Sequence, residues 1–144
     1  MSEHRTQVRW ARGADAFTYE SYDRTHRWRF AGGVELEASS APEYRGRAEL
    51  PNPEEALVGA LSSCHMLTFL AVAANSKVPI QQYSAQAVGT LEKSEGHGFS
   101  VTRVVVRPRV TIGSDVDRTK VDRLLAMAER NCFISNSLKA QVTL

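Results

Sequence analysis

The chain has 144 residues, of which 42% are hydrophobic and 24% charged, and its formal net charge is +2. This length predicts a single domain spanning residues 1–144, because two separate cores would each be close to the lower size limit for stability. The composition excludes a wholly disordered chain. The longest strongly apolar stretch, residues 66–74, is much shorter than the roughly 20 residues that cross a bilayer. The first residues also lack a signal-peptide core, so we expect a cytoplasmic protein outside any membrane.

Basic residues occur in two groups that could contact phosphates. One group lies in the first third of the chain and the other in a later alternating segment: Arg24, Arg27, Arg29, Arg45 and Arg47, then Arg103, Arg107 and Arg109. Arginines at alternate positions are typical of the solvent-exposed face of a half-buried strand. Since no aromatic platform or DNA-reading motif accompanies them, we expect no nucleic acid among the partners.

The first forty residues predict strands joined by turns. Residues 6–10, 26–30 and 34–38 alternate between apolar and polar side chains, which is typical of half-buried strands. Gly32 and Gly33 offer a two-residue turn between the last two of these segments. We therefore expect an antiparallel meander, followed by a loop over residues 39–50.

The clearest helix start in the chain lies at Asn52. Asn52 can cap a helix, and Pro53 suits the first helical position. Glu54 and Glu55 favour the positive end of the helix dipole. Over residues 56–74 apolar side chains occur nearly all round, which predicts a helix buried on most faces. In so short a chain, such a helix indicates that a second subunit covers it.

Two further strands are predicted after this helix, at residues 80–91 and 99–112, joined by a turn. In the second strand Val104, Val106 and Val110 share one face. Pro108 indicates that this strand is an edge strand or is locally broken, because proline cannot donate a ladder hydrogen bond.

A second amphipathic helix can begin at Asp115 or Asp117, with an apolar face at positions 121, 124, 125 and 128. Residues 131–137 interrupt it, and residues 141–144 predict a last strand. The order of elements, strands and a helix followed by strands and a helix, is that of an α+β fold. We expect antiparallel sheets around a long buried central helix.

The chain has two cysteines, Cys64 and Cys132, which are 68 positions apart. Neither lies in a zinc-site spacing, so no metal site is predicted. A thiol in a buried helix is inert unless something stabilises its thiolate. His65 would point about 100° away from its neighbour Cys64 on a helix. We therefore interpret His65 as a satisfied core or surface histidine rather than a partner of the thiol.

Two motifs make the sequence recognisable. The segment Asn52–Leu57, with Cys64 ten residues after Glu54, resembles the helix of the OsmC/Ohr superfamily of thiol peroxidases. The segment Cys132–Asn136 resembles the second-cysteine motif of that family. The stretch Tyr22–Arg27 lies in the region where the family places its active-site arginine. The resemblance covers nearly the whole chain.

This resemblance implies an intertwined homodimer with two active sites at the subunit interface. Members of the OsmC/Ohr superfamily reduce hydroperoxides, generally organic ones, with two cysteines and without metal, haem or other cofactor. Cys64 then matches the peroxidatic cysteine and Cys132 the resolving one, while Arg24 and Glu54 match a supporting ion pair. The implied partners are a hydroperoxide substrate and an external dithiol reductant, for which a lipoylated protein is one candidate.

The chemistry gives each of these residue types a task. An arginine favours both the attacking thiolate and the departing oxygen, and a carboxylate orients the guanidinium. Arg27 and Arg29 are alternatives to Arg24 for this task. Since Glu54 and Cys64 are about 15 Å apart along one straight helix, we expect Glu54 to reach Cys64 of the other subunit through central helices that pack antiparallel.

Two departures from the family pattern concern the cysteines. Phe133 stands where the Ohr branch commonly has a proline after the second cysteine. The sequence Cys64-His65-Met66 also resembles general OsmC-like proteins more than the Ohr branch. The preferred peroxide and the reductant therefore stay open.

Two other functions compete with a peroxidase. One is a redox sensor or a small hydrophobic-ligand binder that uses the same interface pocket. The other is an acyl-transfer enzyme in which Cys64 works with His65, His26 or His97. The second requires a histidine within hydrogen-bond reach of the sulfur.

Overall fold

The computed structural model describes residues 1–96 and 98–144, so His97 lies outside the described residues. The backbone groups into two units, Met1–Ala56 and Leu57–Leu144. The first unit carries a three-stranded antiparallel sheet in the order β1 (Thr6–Arg9), β2 (His26–Phe30) and β3 (Glu35–Ala38). This confirms the predicted meander.

The turn between β2 and β3 depends on glycine. Gly33 has a φ of 90°, which side-chain-bearing residues rarely adopt. Its N–H donates to the carbonyl of Phe30 at 2.9 Å, and the Phe30 N–H donates to the carbonyl of Val34 at 2.9 Å. The loop predicted at residues 39–50 contains one short 3-10 helix, Pro42–Tyr44.

The long helix α1 (Pro53–Asn75) begins where the capping residues predict it. The Glu55 N–H donates to Asn52 Oδ1 at 2.9 Å, and the Asn52 N–H donates to Glu55 Oε2 at 3.2 Å. This reciprocal pair is a capping box, which satisfies two backbone donors that a helix start otherwise leaves unpaired.

Only one stripe of α1 is buried in the single chain. Its fully buried residues are spaced four apart: Leu61, His65, Phe69 and Ala73. Leu67, on another face, is 60% exposed. In a single chain the sheet and the second helix cover only one face of α1, so the predicted burial of the other faces by a second subunit stays a prediction. By length and composition α1 could also cross a membrane, but the four-residue spacing of its buried side chains is that of a core helix.

The second unit contains a three-stranded sheet, β4 (Gln82–Ser94), β5 (Gly98–Thr111) and β6 (Gln141–Thr143), with β5 in the centre. β4 and β5 are antiparallel, but β5 and β6 are parallel, so the sheet is mixed rather than antiparallel as predicted. The reason lies in the connection: the chain crosses from β5 to β6 through two helices, and a crossover of this kind returns a strand in the same direction.

Pro108 does not break β5. It pairs with Ala85 of β4, and β6 pairs only with residues 103–105. Pro108 therefore lies beyond the segment that β6 covers, where the missing N–H removes no hydrogen bond to that strand. β5 is the central strand of its sheet and is not broken at Pro108, so both predicted alternatives are wrong for this strand.

Two further helices complete the second unit, α2 (Arg118–Asn131) and α3 (Phe133–Ser137). Asp117 caps α2 by accepting the Thr119 N–H at 2.9 Å. The predicted inward face of α2 is confirmed at positions 121, 124 and 128, which are buried, whereas residue 125 is partly buried.

Two apolar clusters form the interior of this unit. The first core joins the last turns of α1 to α2: Phe69, Ala73, Val78, Val121, Leu124 and Ala128. The second core joins α1 to β5 and to the start of α3: Leu61, Val104, Val106 and Cys132. The second core is the one that positions the cysteines.

Close approach between α1 and the sheet depends on Gly89 in β4. A Cβ at this position would lie 2.5 Å from Cγ2 of Val58, a distance that real carbon atoms do not tolerate. We expect Gly89→Ala to lower the free energy of unfolding by about 1–3 kcal/mol, which is typical of overpacking. Urea denaturation measures the change.

The matched test is the same substitution in a Val58→Ala background, where the clashing methyl groups are gone. There Gly89→Ala should cost much less than in the wild type. An equal cost in both backgrounds would mean that Val58 is not what makes glycine necessary.

His65 is the one fully buried histidine in the described part of the chain, at 2% exposure. Its Nδ1 lies 3.1 Å from the Tyr83 hydroxyl. Burial lowers the pKa of His65 below its usual range, and the Leu125 backbone and the Glu129 carboxylate only partly oppose this. His65 is therefore a neutral core residue at pH 7.

The lowered pKa of His65 makes stability depend on pH. Above the ordinary histidine pKa of about 6.5 the ring is neutral in both folded and unfolded states. Below that value the unfolded state binds a proton that the folded state resists, so the free energy of unfolding falls as pH falls, by up to about 1.4 kcal/mol per pH unit. Denaturation between pH 7.5 and 5 should show a shallower slope for His65→Gln, and equal slopes would contradict this.

Candidate active site

The two cysteines meet where α1 passes the junction of α2 and α3. Cys64 lies on α1 and is half-buried, whereas Cys132 is fully buried between α2 and α3. Both are free thiols that pack in the second core, and each shifts the pKa of the other. The structure thus brings together, inside one unit, the two cysteines that the sequence analysis singled out.

The position of Cys132 follows from its place at two helix ends. Its N–H donates to the Glu129 carbonyl at 3.4 Å, where α2 ends, and its backbone is extended, with φ −70° and ψ 118°. Its Sγ accepts the Ser135 N–H at 3.4 Å, and its carbonyl accepts the Asn136 N–H at 3.0 Å. The thiol therefore takes the capping position that serine, threonine, asparagine or aspartate usually occupies.

The pKa of Cys64 lies below that of an ordinary thiol. Burial raises it, because a thiolate among apolar side chains loses its hydration. Polar groups near the sulfur outweigh this effect and lower the pKa, the Ile134 backbone first, then the Cys132 thiol, the Phe133 backbone and the Thr68 side chain. The Thr68 hydroxyl donates to the Cys64 carbonyl oxygen at 2.8 Å. Cys64 is consequently easier to ionise than a free cysteine.

The pKa of Cys132 moves in the opposite direction. Burial raises it, and the neighbouring Cys64 raises it further, while the N–H groups of Ser135 and Ile134 only partly compensate. Since the two thiols interact, their titration belongs to the pair. Cys64 therefore gives up its proton more readily than Cys132 does.

Apolar side chains surround the pair unevenly. Leu61, one turn before Cys64, is fully buried in the same core. Met66 is half-buried, and Leu67 is largely exposed in a single chain. Phe133, next to Cys132, is 79% exposed. A single chain thus forms only part of an apolar environment around the two cysteines.

The histidines proposed for acyl transfer have other partners or lie elsewhere. His65 binds Tyr83, as described above, and His26 belongs to the first unit, where its Nδ1 donates to the Arg24 carbonyl at 2.8 Å. His97 lies outside the described residues. Nor does any cluster of three or more His, Cys, Asp or Glu within residues 1–96 and 98–144 have the arrangement of a metal site.

Arg24 is buried in the first unit, at 8% exposure. Its guanidinium donates to the carbonyls of Tyr22, at 2.6 Å, and Tyr19, and its carbon lies 3.7 Å from the Tyr22 ring centroid. Its Nε is buried without an acceptor. Together with Trp10 and Phe17, it lines a cavity of about 490 Å³. Arg24 is therefore a pre-positioned cation at an aromatic cavity.

The two alternative arginines lie on the outer surface of the meander. Arg27 is 3.9 Å from Glu35 and 3.7 Å from Glu37, and Arg29 is 3.7 Å from Glu35. All four side chains are about half exposed or more, so these pairs contribute little to stability. Burial and a cavity distinguish Arg24 from both alternatives.

Glu54 lies half-buried in the first turn of α1. The ion pairs found among the described residues of a single chain do not include it. α1 continues without a break from Pro53 to Asn75, which is the condition for the argument that Glu54 serves a Cys64 in another chain. The pairing of Glu54 with Arg24 stays a prediction.

Sequence reasoning missed three of the four groups that lower the pKa of Cys64. Thr68 could have been found, because residues four apart on a helix lie on the same face. The N–H groups of Phe133 and Ile134 have no signal in the side-chain pattern, since every residue except proline carries one. Only the helix break at Cys132 points to unpaired donors nearby.

Comparison with known proteins places these observations in a family. The model of the OsmC-like protein family matches residues 46–144. A protein of Bacillus subtilis named YmaD is 26% identical over 117 residues, covering 79% of this chain and 77% of its own length. An OsmC-like protein of unknown function from Vibrio cholerae is 40% identical, with a TM-score of 0.92 over 99% of this chain and 97% of that one.

Organic hydroperoxide resistance proteins share the fold at lower identity. OhrB of Bacillus subtilis is 20% identical, with a TM-score of 0.71, and covers 99% of this chain and 96% of its own. An organic hydroperoxide resistance protein OsmC from Legionella pneumophila is 18% identical, with a TM-score of 0.75, over 100% and 96% of the two chains. With a family model that matches more than two thirds of its residues and a close structural relative at 40% identity, this chain belongs to the OsmC-like protein family.

Proposed function

We propose that this protein is a thiol-dependent peroxidase that reduces organic hydroperoxides. The observation that carries the proposal is the pair of sulfurs in the second unit, in which hydrogen bonds lower the pKa of Cys64 while burial raises that of Cys132. Family membership supports it, since relatives with the same fold are named for organic hydroperoxide resistance.

In the proposed cycle the Cys64 thiolate attacks one peroxide oxygen. A sulfur–oxygen bond forms, the oxygen–oxygen bond breaks, and the alkoxide takes up a proton and leaves as an alcohol. The resulting sulfenic acid reacts with the Cys132 thiol, which releases water and forms a disulfide. An external dithiol then reduces the disulfide by exchange and is itself oxidised. No metal or organic cofactor is needed for these steps.

Arg24 and Glu54 are proposed as the groups that stabilise the departing oxygen. The state of Arg24 supports this role: two of its N–H donors bind tyrosine carbonyls, and its Nε–H has no acceptor. A guanidinium carries five N–H donors, so several remain for an incoming ligand. Glu54 would orient the guanidinium as a bidentate acceptor.

A homodimer is proposed because α1 leaves an apolar surface uncovered. Leu67 is 60% exposed in the single chain, and the half-buried residues around it include Met66 and Leu70. Covering such a surface is what an obligate interface does. The cycle also requires a reducing environment with dithiols, for which we propose the cytoplasm.

Consumption of an organic hydroperoxide, measured with a dithiol in excess, tests the function. The wild type should turn over cumene hydroperoxide, and Cys64→Ser should abolish turnover because the hydroxyl is a poor nucleophile at neutral pH. Ser63→Ala, the exposed neighbour on α1, is the matched control and should retain activity. Equal turnover by Cys64→Ser and the wild type would end the proposal.

Intact mass after one equivalent of hydroperoxide follows the sulfur atoms in the same samples. The wild type should lose two hydrogens as its disulfide forms, whereas Cys132→Ser should gain one oxygen, about 16 Da, as a trapped sulfenic acid. A disulfide that forms without turnover in excess dithiol would instead favour a redox sensor.

Mixed dimers test whether the active site is shared between subunits. Cys64→Ser and Glu54→Ala homodimers should each be inactive or strongly impaired. If Glu54 of one chain serves Cys64 of the other, a dimer of one Cys64→Ser chain and one Glu54→Ala chain has one complete site. Its peroxidase activity should recover to about half that of the wild type, since a two-fold dimer has two equivalent sites.

The same mixed dimer stays inactive if Glu54 serves the cysteine of its own chain. Differently tagged chains, purified through both tags in succession, give the mixed dimer free of either parent. A wild-type chain paired with the doubly substituted chain provides the control, because it has one intact set of residues only under the within-chain arrangement.

A further inference from the structure

The cavity of about 490 Å³ in the first unit lies beside the buried guanidinium of Arg24. Its volume is within the range of about 300–1,000 Å³ that is typical of small-molecule sites. Three aromatic rings form part of its wall: Trp10, Phe17 and Tyr22 lie with ring centroids 5.7–6.3 Å apart. The Trp10 ring is held in place because its Nε1–H donates to the Asp23 carbonyl at 2.7 Å. The cavity thus has a preformed aromatic wall.

The cation beside this wall is not in an ion pair in the single chain. The ion pairs among the described residues do not include Arg24, and the carboxylate of its neighbour Asp23 accepts the Thr25 N–H at 2.8 Å. Two of the five guanidinium N–H groups donate to the carbonyls of Tyr19 and Tyr22, and within the described part of the chain the Nε–H has no acceptor. A buried charge is costly to leave unpaired. Arg24, at 8% exposure, is therefore a buried cation that still lacks an anion.

We propose that the cavity of the first unit binds a small aromatic carboxylate, whose ring lies against Trp10 and Phe17 and whose carboxylate accepts hydrogen bonds from Arg24. A guanidinium can offer a carboxylate two parallel N–H groups, and hydrogen bonds between charged partners are about twice as strong as neutral ones. Aromatic side chains favour a flat ring as their neighbour, which they contact by offset stacking or edge to face. A neutral aromatic molecule would leave the cation unpaired.

The rest of the lining favours a carboxylate over a phosphate. Ser39 is fully buried in the lining, and its Oγ accepts the Arg47 N–H at 3.1 Å, which leaves its O–H able to donate to a ligand. His26, which also lines the cavity, donates its Nδ1–H to the Arg24 carbonyl. The described lining residues include no lysine and no second arginine, so a dianionic phosphate would keep a charge that aromatic walls cannot solvate. The single charge of a carboxylate is matched by one guanidinium.

Calorimetric titration of the whole protein with naphthoate and with naphthamide tests the role of the charge, because the two probes share one ring system. The wild type should bind naphthoate roughly tenfold or more tightly than naphthamide, which is the effect expected of hydrogen bonds between charged groups. Arg24→Gln should remove this preference. Arg27→Gln deletes the same charge on the outer surface of the meander and should keep it.

Three results of this titration would overturn the inference. They are a wild type that does not bind naphthoate, equal affinity of the wild type for the two probes, and naphthoate binding that Arg24→Gln leaves unchanged.

Binding is measured without peroxide, so its result is separate from the proposed function. An active peroxidase that does not bind naphthoate would disprove the carboxylate site and leave the function standing. Naphthoate binding by a protein without turnover would support the site and not the function. One consequence does rest on the proposed function: because Arg24 would also stabilise the departing oxygen, a bound carboxylate would compete with the hydroperoxide.

A second measurement covers the case in which Arg24→Gln does not fold, because it uses the wild type alone. The chain has two tryptophans, of which Trp10 lines the cavity and Trp28 does not. In NMR spectra, naphthoate should move the Trp10 indole N–H resonance through the ring current of the bound ligand. The Trp28 indole N–H is the reference and should move much less. A Trp10 resonance that stays in place, or moves no more than that of Trp28, would overturn the inference.

The aromatic wall is tested by Phe17→Ala. The Phe17 ring is 63% exposed, so its removal should leave the fold intact while it weakens naphthoate binding about two- to tenfold, the range of one aromatic contact. Val34→Ala is the matched control, since Val34 is 64% exposed and does not line the cavity. Calorimetry that gives the same naphthoate affinity for Phe17→Ala and Val34→Ala would contradict the proposed position of the ring.

Discussion

A sulfur among hydrocarbon side chains keeps its proton unless hydrogen-bond donors reach it, because nothing else there solvates a thiolate. At Cys64 the backbone of Ile134 and Phe133, the Cys132 thiol and the Thr68 side chain together lower the pKa against the effect of burial. Two of these groups lie at the start of α3, where Cys132 ends α2 and caps α3 with its own sulfur. The second cysteine therefore shapes the surroundings of the first before any covalent bond joins them. Leu61, one turn away on α1, packs with Cys132 in the same core and fixes the approach of the two helices.

Much of the fold could be predicted because its signals are local. The alternation at residues 26–30, the capping box at Asn52 and the cap at Asp117 each concern neighbours within four positions, and all three elements are found. The parallel pairing of β6 could not be predicted, because it depends on where two helices return the chain. The apolar circumference of α1 showed that the helix must be covered, but nothing in the sequence says how much of that cover its own chain provides.

The candidate site, too, could be predicted from the sequence only in part. Cysteine is rare in this chain, so a search for reactive side chains finds Cys64 and Cys132. The backbone donors at Phe133 and Ile134 are invisible to such a search, since they depend on how a helix begins rather than on residue type. The sequence left three candidate arginines, and Arg24 is separated from the other two by its burial and its place in a cavity, which are properties of the folded first unit.

The unequal exposure of the two sulfurs affects how the disulfide is reduced in the proposed cycle. An incoming dithiol can touch Cys64, which is half-buried, but not Cys132, which has no exposed surface. Attack at Cys64 expels Cys132, and a thiol of raised pKa is a slow leaving group. Cys64 is the better leaving group, but it would be released only if the dithiol attacked the buried sulfur of Cys132. In the proposed cycle, a reductant able to displace residues 132–137 from the core would therefore outperform a small dithiol of equal potential.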